Sequence, residues 1–274
     1  MSSDQSNVVL EARDSVAIVR LNRPERMNAF TFKMVAEIRK AVDRAAADEN
    51  AVGIIITGTG RAFSAGLDTT DLARSASGTA QSDIEGSTPA TDDLPALFSY
   101  LLQISKPVIA VINGVAAGGG FVLAMMSDLR FAAENASFTT VFSKRGLIAE
   151  HGTSFLLPRL VGTSRALDLL WSSRRFDAAE ALRIGFVDRV IPGERLLDEA
   201  CAYIRDLAAN VSPRSLAVIK AQVYGHLSLG MEAAIRHSDK IMNESLIHPD
   251  ATEGVTSFVE RRPARFQPWK GEKI

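Results

Sequence analysis

The stretch Gly114-Val-Ala-Ala-Gly-Gly-Gly-Phe-Val-Leu-Ala-Met-Met-Ser-Asp128 decides how the rest of the chain is read. Three glycines run straight into an apolar segment of helical length, and the residues before them, Val108 to Ile112, form an unbroken aliphatic run. The order strand, glycine turn, helix leaves backbone N–H groups at the turn with no intrahelical partner and no Cβ to keep a ligand away. Such a turn attracts negative charge. Close packing of the helix on the strand is the other use of bare backbone there. A further strand, Leu129 to Ala133, follows.

The same alternation extends in both directions. Val8 to Ala12 and Val16 to Leu21 read as strands of a hairpin around Arg13-Asp14-Ser15. Thr31 caps a helix whose apolar stripe is Met34, Val35, Ile38, Ala41, Val42 and Ala45, and Val52 to Thr57 reads as a buried strand. A helix over Asp92 to Ser105 completes the approach to the glycine stretch. Strands alternating with helices predict an α/β fold. Between the cycles, Arg74 to Thr91 is rich in small and polar residues and reads as a flap or a plain tether.

Beyond Gly162 the pattern is helical. Asp177 with Glu180 and Asp250 with Glu253 read as capping boxes, and Ser212-Pro213 as a cap followed by a first-turn proline. The apolar residues Leu227, Met231, Ile235, Ile241 and Met242 serve either the core or contacts between subunits.

Composition narrows the function classes. The 274 residues carry 31 Lys plus Arg against 32 Asp plus Glu, so no field exists to hold nucleic acid or an anionic membrane nonspecifically. Cys201 is the single cysteine, which excludes an internal disulfide and fits a reducing compartment. Met1 to Asn7 reads as a short tail without signal-peptide order, so a cytoplasmic location is expected. Pro107 to Ser127 has no charged residue, yet Pro107, Asn113 and the glycines favour a strand, a turn and a buried helix over a membrane span. His226, His237 and His248 lack metal-ligand spacing, and no metal is expected.

Neither Gly118-Gly-Gly-Phe-Val-Leu123 nor Gly58-Thr-Gly-Arg-Ala-Phe63 has the last glycine of the dinucleotide fingerprint. Ser64-Ala-Gly-Leu-Asp68 is a second glycine turn after a strand. Two strand-end turns side by side in a parallel sheet can each offer one N–H to a single oxygen, which makes an oxyanion hole. Ser64 is not in the Gly-x-Ser-x-Gly setting of a nucleophile, and Asp68 reads as a helix or turn cap.

At this point the chain resembles the crotonase superfamily, the enoyl-CoA hydratase and isomerase family, over nearly its whole length. The matching pieces are Leu21-Asn-Arg-Pro24 with Asn28-Ala29, Ala62-Phe-Ser-Ala-Gly-Leu-Asp68, Lys106-Pro-Val-Ile-Ala-Val-Ile-Asn-Gly114, Gly118-Gly-Gly120, Ala178 to Gly185 with Val187, and Phe258-Val-Glu-Arg-Arg262. The resemblance implies a spiral of ββα units with a helical C-terminal trimerisation region, as a trimer or dimer of trimers, holding an acyl-CoA thioester. Residues 8–200 would be the spiral core and 201–274 the helical region that oligomerises and covers the site. By the same resemblance, Leu67 and Gly119 supply the two N–H donors, and the coenzyme A thioester is the substrate with no further cofactor.

The departures matter as much. Hydratases of this family use two glutamates, and the aligned positions here are Val122 and Phe142, neither of which transfers a proton. The family's isomerases place a single carboxylate at the position of Glu150, in Gly146-Leu-Ile-Ala-Glu-His-Gly-Thr-Ser154. Burial between Leu147-Ile-Ala149 and Gly152 would raise its pKa and make it a better base; an exposed turn carboxylate is the alternative. His151 orients Glu150, relays a proton, or simply packs. For the CoA arm, Arg26 is a phosphate candidate beside Ala29, while Ser64, Ala65, Gly66, Asp68 and Gly118 line the approach, and Arg261, Arg262 and Arg265 add charge. The sequence therefore predicts an enoyl-CoA isomerase with Glu150 as sole base. A hydratase using Glu150 with water or His151, and a noncatalytic acyl-CoA-binding protein, are the alternatives.

Overall fold

Strict alternation along aliphatic strands divides the core in two. In β3 (Gly53–Gly58), Ile54 and Ile56 enter the larger apolar cluster while Ile55 enters the smaller. In β5 (Val108–Ile112), Val108, Ala110 and Ile112 face the first cluster and Ile109 and Val111 the second. Side chains of a strand point to opposite faces in turn, so a sheet made of such runs must be covered on both sides. The computed structural model describes residues 6–76 and 94–269.

The hairpin is formed by β1 (Val8–Arg13) and β2 (Val16–Leu21), paired antiparallel from Val8 with Leu21 to Arg13 with Val16. Asp14 turns the link with φ 53°. Helix α1 (Phe32–Ala47) starts where Thr31 accepts the Met34 N–H at 3.1 Å, and it buries Met34, Ile38, Ala41, Val42 and Ala45. From there the chain repeats one unit: β3 leads to β4 (Ala62–Ser64) and α2 (Thr69–Ala76); β5 leads to β6 (Val115–Ala117) and α3 (Gly119–Met125); β7 (Leu129–Ala133) leads to β8 (Ser137–Thr139) and the helices α4 (Thr153–Val161) and α5 (Thr163–Ser172). The first strand of each unit joins a six-stranded sheet and the second a four-stranded one. With β9 (Phe176–Asp177), α6 (Ala178–Ile184) and β10 (Arg189–Ile191), the orders are β1-β2-β3-β5-β7-β10 and β4-β6-β8-β9. This is the expected spiral of ββα units. The strands β6 and β8 are three residues each, too short to stand out in sequence.

Helix α7 (Leu196–Asn210) covers the outer face of the large sheet with Leu196, Ala200, Cys201 and Ile204. The expected boundary between residues 200 and 201 falls inside it. Cys201 is buried there as packing. Helices α8 (Pro213–His226), α9 (Met231–Leu246) and α10 (Pro249–Glu260) follow.

Three local readings change. The expected helix up to Ser105 is, within the described residues, only a short 3-10 turn, Ser99–Gln103. Pro95 disfavours helix at Leu94, and Ala96 and Phe98 have φ of 124° and 63°. Asp177 does cap α6 through the Glu180 N–H at 2.8 Å, but the Glu180 carboxylate turns to Arg174 at 2.7 and 2.8 Å instead of closing the box. At α10 the cap is His248, whose Nδ1 accepts the Asp250 N–H, while Glu253 pairs with Arg262 at 2.6 Å. Of the mixed apolar faces, Ile241 is buried and Met231, Ile235 and Met242 are exposed. The flap reading over Arg74 to Thr91 lies mostly outside the described residues.

Candidate active site

The first half of the site is built from backbone. Strand β4 runs parallel to β6, with Ala62 opposite Val115 and Ser64 opposite Ala116, so the turns that leave them are neighbours. Phe30 donates its N–H to Gly66 O and accepts the Asp68 N–H, both at 2.7 Å. Those two bonds straddle Leu67 and turn its own N–H to the other side of the strand, away from Phe30. Among the described residues, neither the Leu67 N–H nor the Gly119 N–H donates to an internal acceptor. A Cβ on Gly66 would lie 2.6 Å from Ala117 O and 3.0 Å from Gly119 N, and one on Gly120 would lie 2.4 Å from Ser64 O. Only glycine lets these turns meet.

Side chains around the turns are engaged in holding them. Ser64 is fully buried, donates to Asn28 O at 2.8 Å and accepts the Gly66 N–H at 3.1 Å. The Ala65 N–H donates to Met27 O at 3.0 Å and is thereby used within the protein. Asn28, also buried, gathers Arg23 N, Thr59 O and Ala62 O. Arg23 donates to Ala29 O at 2.6 Å and stands 3.4 Å from Asp68. Asp68 caps the turn into α2 by accepting the Thr70 N–H at 3.0 Å, and that bond, with the Arg23 guanidinium, holds its carboxyl below the usual range. Arg23 was not singled out in sequence; its only signal was its place in Leu21-Asn-Arg-Pro24.

The second half is the Glu150–His151 pair. It lies in a loop bent by Gly146, His151 and Gly152, all with positive φ, just before α4. His151 Nε2 is 3.6 Å from Glu150 Oε1, and His151 Nδ1 accepts the Leu97 N–H at 3.4 Å. An accepting Nδ1 puts the ring proton on Nε2, facing the carboxylate. Burial lowers the His151 pKa and the Glu150 charge partly opposes the shift, so the ring is neutral near pH 7. Glu150 itself is not buried as expected: its side chain is 40% exposed, because Leu147 and Ile148 point outward instead of covering it.

One aromatic contact links the halves. Phe30, which a Cβ at Gly119 would meet at 3.2 Å, packs edge-on to Phe98 with ring centroids 5.4 Å apart. Phe98 follows Leu97, the residue that fixes His151. Val122 and Phe142 are both sealed in the larger core cluster. Arg26 is exposed in the 3-10 turn Pro24–Arg26, while Arg262 is spent on Glu253 and Glu260, with Arg261 and Arg265 exposed beside it.

His226 Nε2 and His237 Nδ1 meet at 2.9 Å, and among the described residues no three potential metal ligands gather. No helix among them is long and apolar enough to cross a membrane.

A glycine-built pair of N–H donors is suited to an oxygen on which negative charge develops. The family model for enoyl-CoA hydratase/isomerase matches residues 11–269. The chain belongs to that family. It is 32% identical over 259 residues to a probable enoyl-CoA hydratase of Mycobacterium tuberculosis, covering 94% of this chain and 97% of the relative. It is 34% identical over 252 residues to a probable mitochondrial enoyl-CoA hydratase of Dictyostelium discoideum, covering 92% and 87%. Among solved structures, an enoyl-CoA hydratase from Bacillus anthracis superposes with a TM-score of 0.86 at 27% identity, covering 96% of this chain and 100% of that one. The protein is an enzyme of the crotonase superfamily.

Proposed function

We propose that the protein moves a proton on an enoyl-CoA thioester, isomerising its double bond, with Glu150 as the only base. The observation that carries this reading is the Phe30–Phe98 contact, which ties the paired Leu67 and Gly119 N–H groups to the Glu150–His151 pair while Val122 and Phe142 stay in the core. The two N–H groups polarise the thioester oxygen. Removing the proton beside the carbonyl moves charge onto that oxygen, where each donor is worth about 2.7 to 4 kcal/mol. Glu150 takes the proton and returns it two carbons away. His151, neutral and held by Leu97, is a positioning residue that donates Nε2–H towards the carboxylate. No metal or redox group enters the step, and coenzyme A is part of the substrate, with Arg26, Ala29 and Ala65 on its approach.

Hydration is the second reading, favoured by the 40% exposure of Glu150, which leaves room for water, and by the names of the relatives. Product mass separates the two. The deciding experiment is Glu150→Gln followed by deuterium uptake into bound acyl-CoA. The amide keeps the shape without accepting a proton, so exchange should fall about 100- to 10,000-fold with acyl-CoA affinity unchanged. Retention of more than a tenth of the exchange would remove Glu150 from the chemistry. Calorimetry should show CoA thioesters binding and the free acids not.

The assembly belongs to the same proposal. Met231, Ile235 and Met242 on α9 and Val255, Phe258 and Val259 on α10 are exposed apolar side chains on neighbouring helices. A homo-oligomer, trimer or dimer of trimers, would cover them, and sedimentation gives its size.

A further inference from the structure

A cleft of about 1210 Å³ opens between the 3-10 turn Ser99–Gln103 and α8, walled by Leu94, Leu102, Met126, Phe155 and Leu227. Drug-sized ligands fill pockets of roughly 300 to 1,000 Å³, so a four-carbon acyl group would leave most of it empty. We infer that this cleft receives the distal part of the acyl group, and that the substrate is a long-chain or bulky apolar acyl-CoA. The inference rests on the reading of Glu150 as the base.

Continuity with that base is the first argument. Ala96 and Gly152 line the cleft, and their chain neighbours Leu97 and His151 are joined by the hydrogen bond that fixes the imidazole. The cleft therefore begins one residue from His151 on one segment and one residue from its backbone partner Leu97 on the other. Met126 stands at this end, its Cε 3.1 Å from where a Cβ on Gly152 would be. It caps the C-terminus of α3, whose first residue is Gly119. On the proposed reading, an acyl group running from Gly119 past Glu150 enters the cleft with the carbons beyond the reacting ones, so its length decides how much of the cleft is filled.

Polarity is the second argument. The charged group deepest in the wall, Lys220, donates to Leu101 O at 2.9 Å, Lys106 O at 3.1 Å and Asp128 at 2.7 Å, which uses all three ammonium protons. Tyr224 donates to the other Asp128 oxygen at 2.9 Å. Lys220 and Tyr224 are thus satisfied by Asp128 and backbone carbonyls, and Ser99 donates to Leu94 O and Ala96 O, while the Trp269 indole N–H on the same wall is buried with no hydrogen-bond partner among the described residues. Asp43 and Glu49, also on the wall, are exposed to solvent. A wall whose buried charges are already paired matches an occupant that is largely hydrocarbon.

The test compares straight-chain enoyl-CoAs of four and sixteen carbons, with the full-length enzyme and Ala221→Trp. Ala221 lines the cleft and is solvent-exposed, so the indole can be accommodated by the fold while occupying the space. The ratio of kcat/KM for the long over the short substrate should exceed one in the parent enzyme and drop about tenfold or more in the variant, equivalent to about 1.4 kcal/mol. Calorimetry with saturated hexadecanoyl-CoA, which needs no turnover, should show the same loss of affinity. An unchanged ratio together with unchanged affinity overturns the cleft assignment even if Glu150→Gln abolishes exchange. Loss of long-chain affinity without any Glu150-dependent exchange upholds the cleft and sinks the proposed chemistry instead.

Discussion

His151 accepts the Leu97 N–H at Nδ1 and turns Nε2 towards Glu150 Oε1, 3.6 Å away. The ring is thus held from one side by backbone and aimed at a carboxylate on the other. Its titration should report both contacts. By NMR, His151 should titrate below the ordinary value of about 6.5, because burial outweighs the attraction of Glu150. Glu150→Gln removes the opposing charge and should lower it further; a rise would mean the pair does not form. Since the unfolded chain binds this proton at higher pH than the native one, the group's contribution to stability is fully present above about 6.5 and is lost as pH falls through the lowered native value. His151→Gln should flatten that part of the acid limb in urea titrations.

Gly66 is expected to be the least replaceable residue of the oxyanion turn. Alanine there meets both a φ of 91° and a carbonyl 2.6 Å from the new Cβ. Gly162, with φ 83°, ψ 156° and nothing within 4 Å, shows the cost of positive φ without a steric clash, about 1 to 3 kcal/mol. Gly66→Ala should destabilise more than Gly162→Ala in thermal melts. It should also slow exchange about 100- to 1,000-fold, as loss of one oxyanion donor does. Exchange within tenfold of the parent enzyme would show that the two turns need not touch.

What could be read from sequence, and what could not, follows from the range of the interactions. Ile54, Ile55 and Ile56 declare a strand covered on both faces, and Thr31, Asp177 and Ser212 declare helix starts, because each depends on neighbours a few residues away. The paired glycine turns were legible because steric demand at Gly66 and Gly120 leaves one residue type. The support of His151 was not. It comes from Leu97, 54 residues earlier, in a segment whose apolar spacing resembles a helix until Ala96 and Phe98 take positive φ. Arg23 likewise reaches Asp68 across 45 residues. The exposure of Glu150 depends on which way Leu147 and Ile148 point, and hydropathy carries no such direction.

The Lys220–Asp128 pair should behave as a buried clamp between α8 and the large sheet. The two side chains are 9% and 17% exposed, and Asp128 also accepts the Val108 N–H at 2.7 Å. Burial pushes the Lys220 ammonium pKa down even with Asp128 beside it. Lys220→Met leaves an uncompensated carboxylate and should cost about 3 to 5 kcal/mol in urea denaturation. Adding Asp128→Leu should restore part of the loss, short of the Val108 and Tyr224 bonds. A single variant within 1 kcal/mol of the parent would mean the pair is solvated, with no clamp.

The last prediction concerns Val122 and Phe142, the two positions where the resemblance to the family's hydratases would place glutamates. Val122 is fully buried on α3, and Phe142 is 4% exposed in the same core cluster. If their replacement were an accident of sequence, Val122→Glu with Phe142→Glu should bring back efficient water addition. The packing argues otherwise. Each change puts a carboxylate into a space shaped by hydrocarbon, where desolvation costs several kcal/mol per ion, and the two charges would repel each other and Glu150. The double variant should therefore melt well below the parent enzyme and hydrate crotonyl-CoA no faster, and Val122→Glu alone should already carry much of the stability loss. The measurement is paired: thermal denaturation for the fold, and product mass in labelled water for the chemistry. A stable double variant with a large hydratase gain would place both side chains on the substrate's side of the wall, and Glu150 would lose its claim to be the only base.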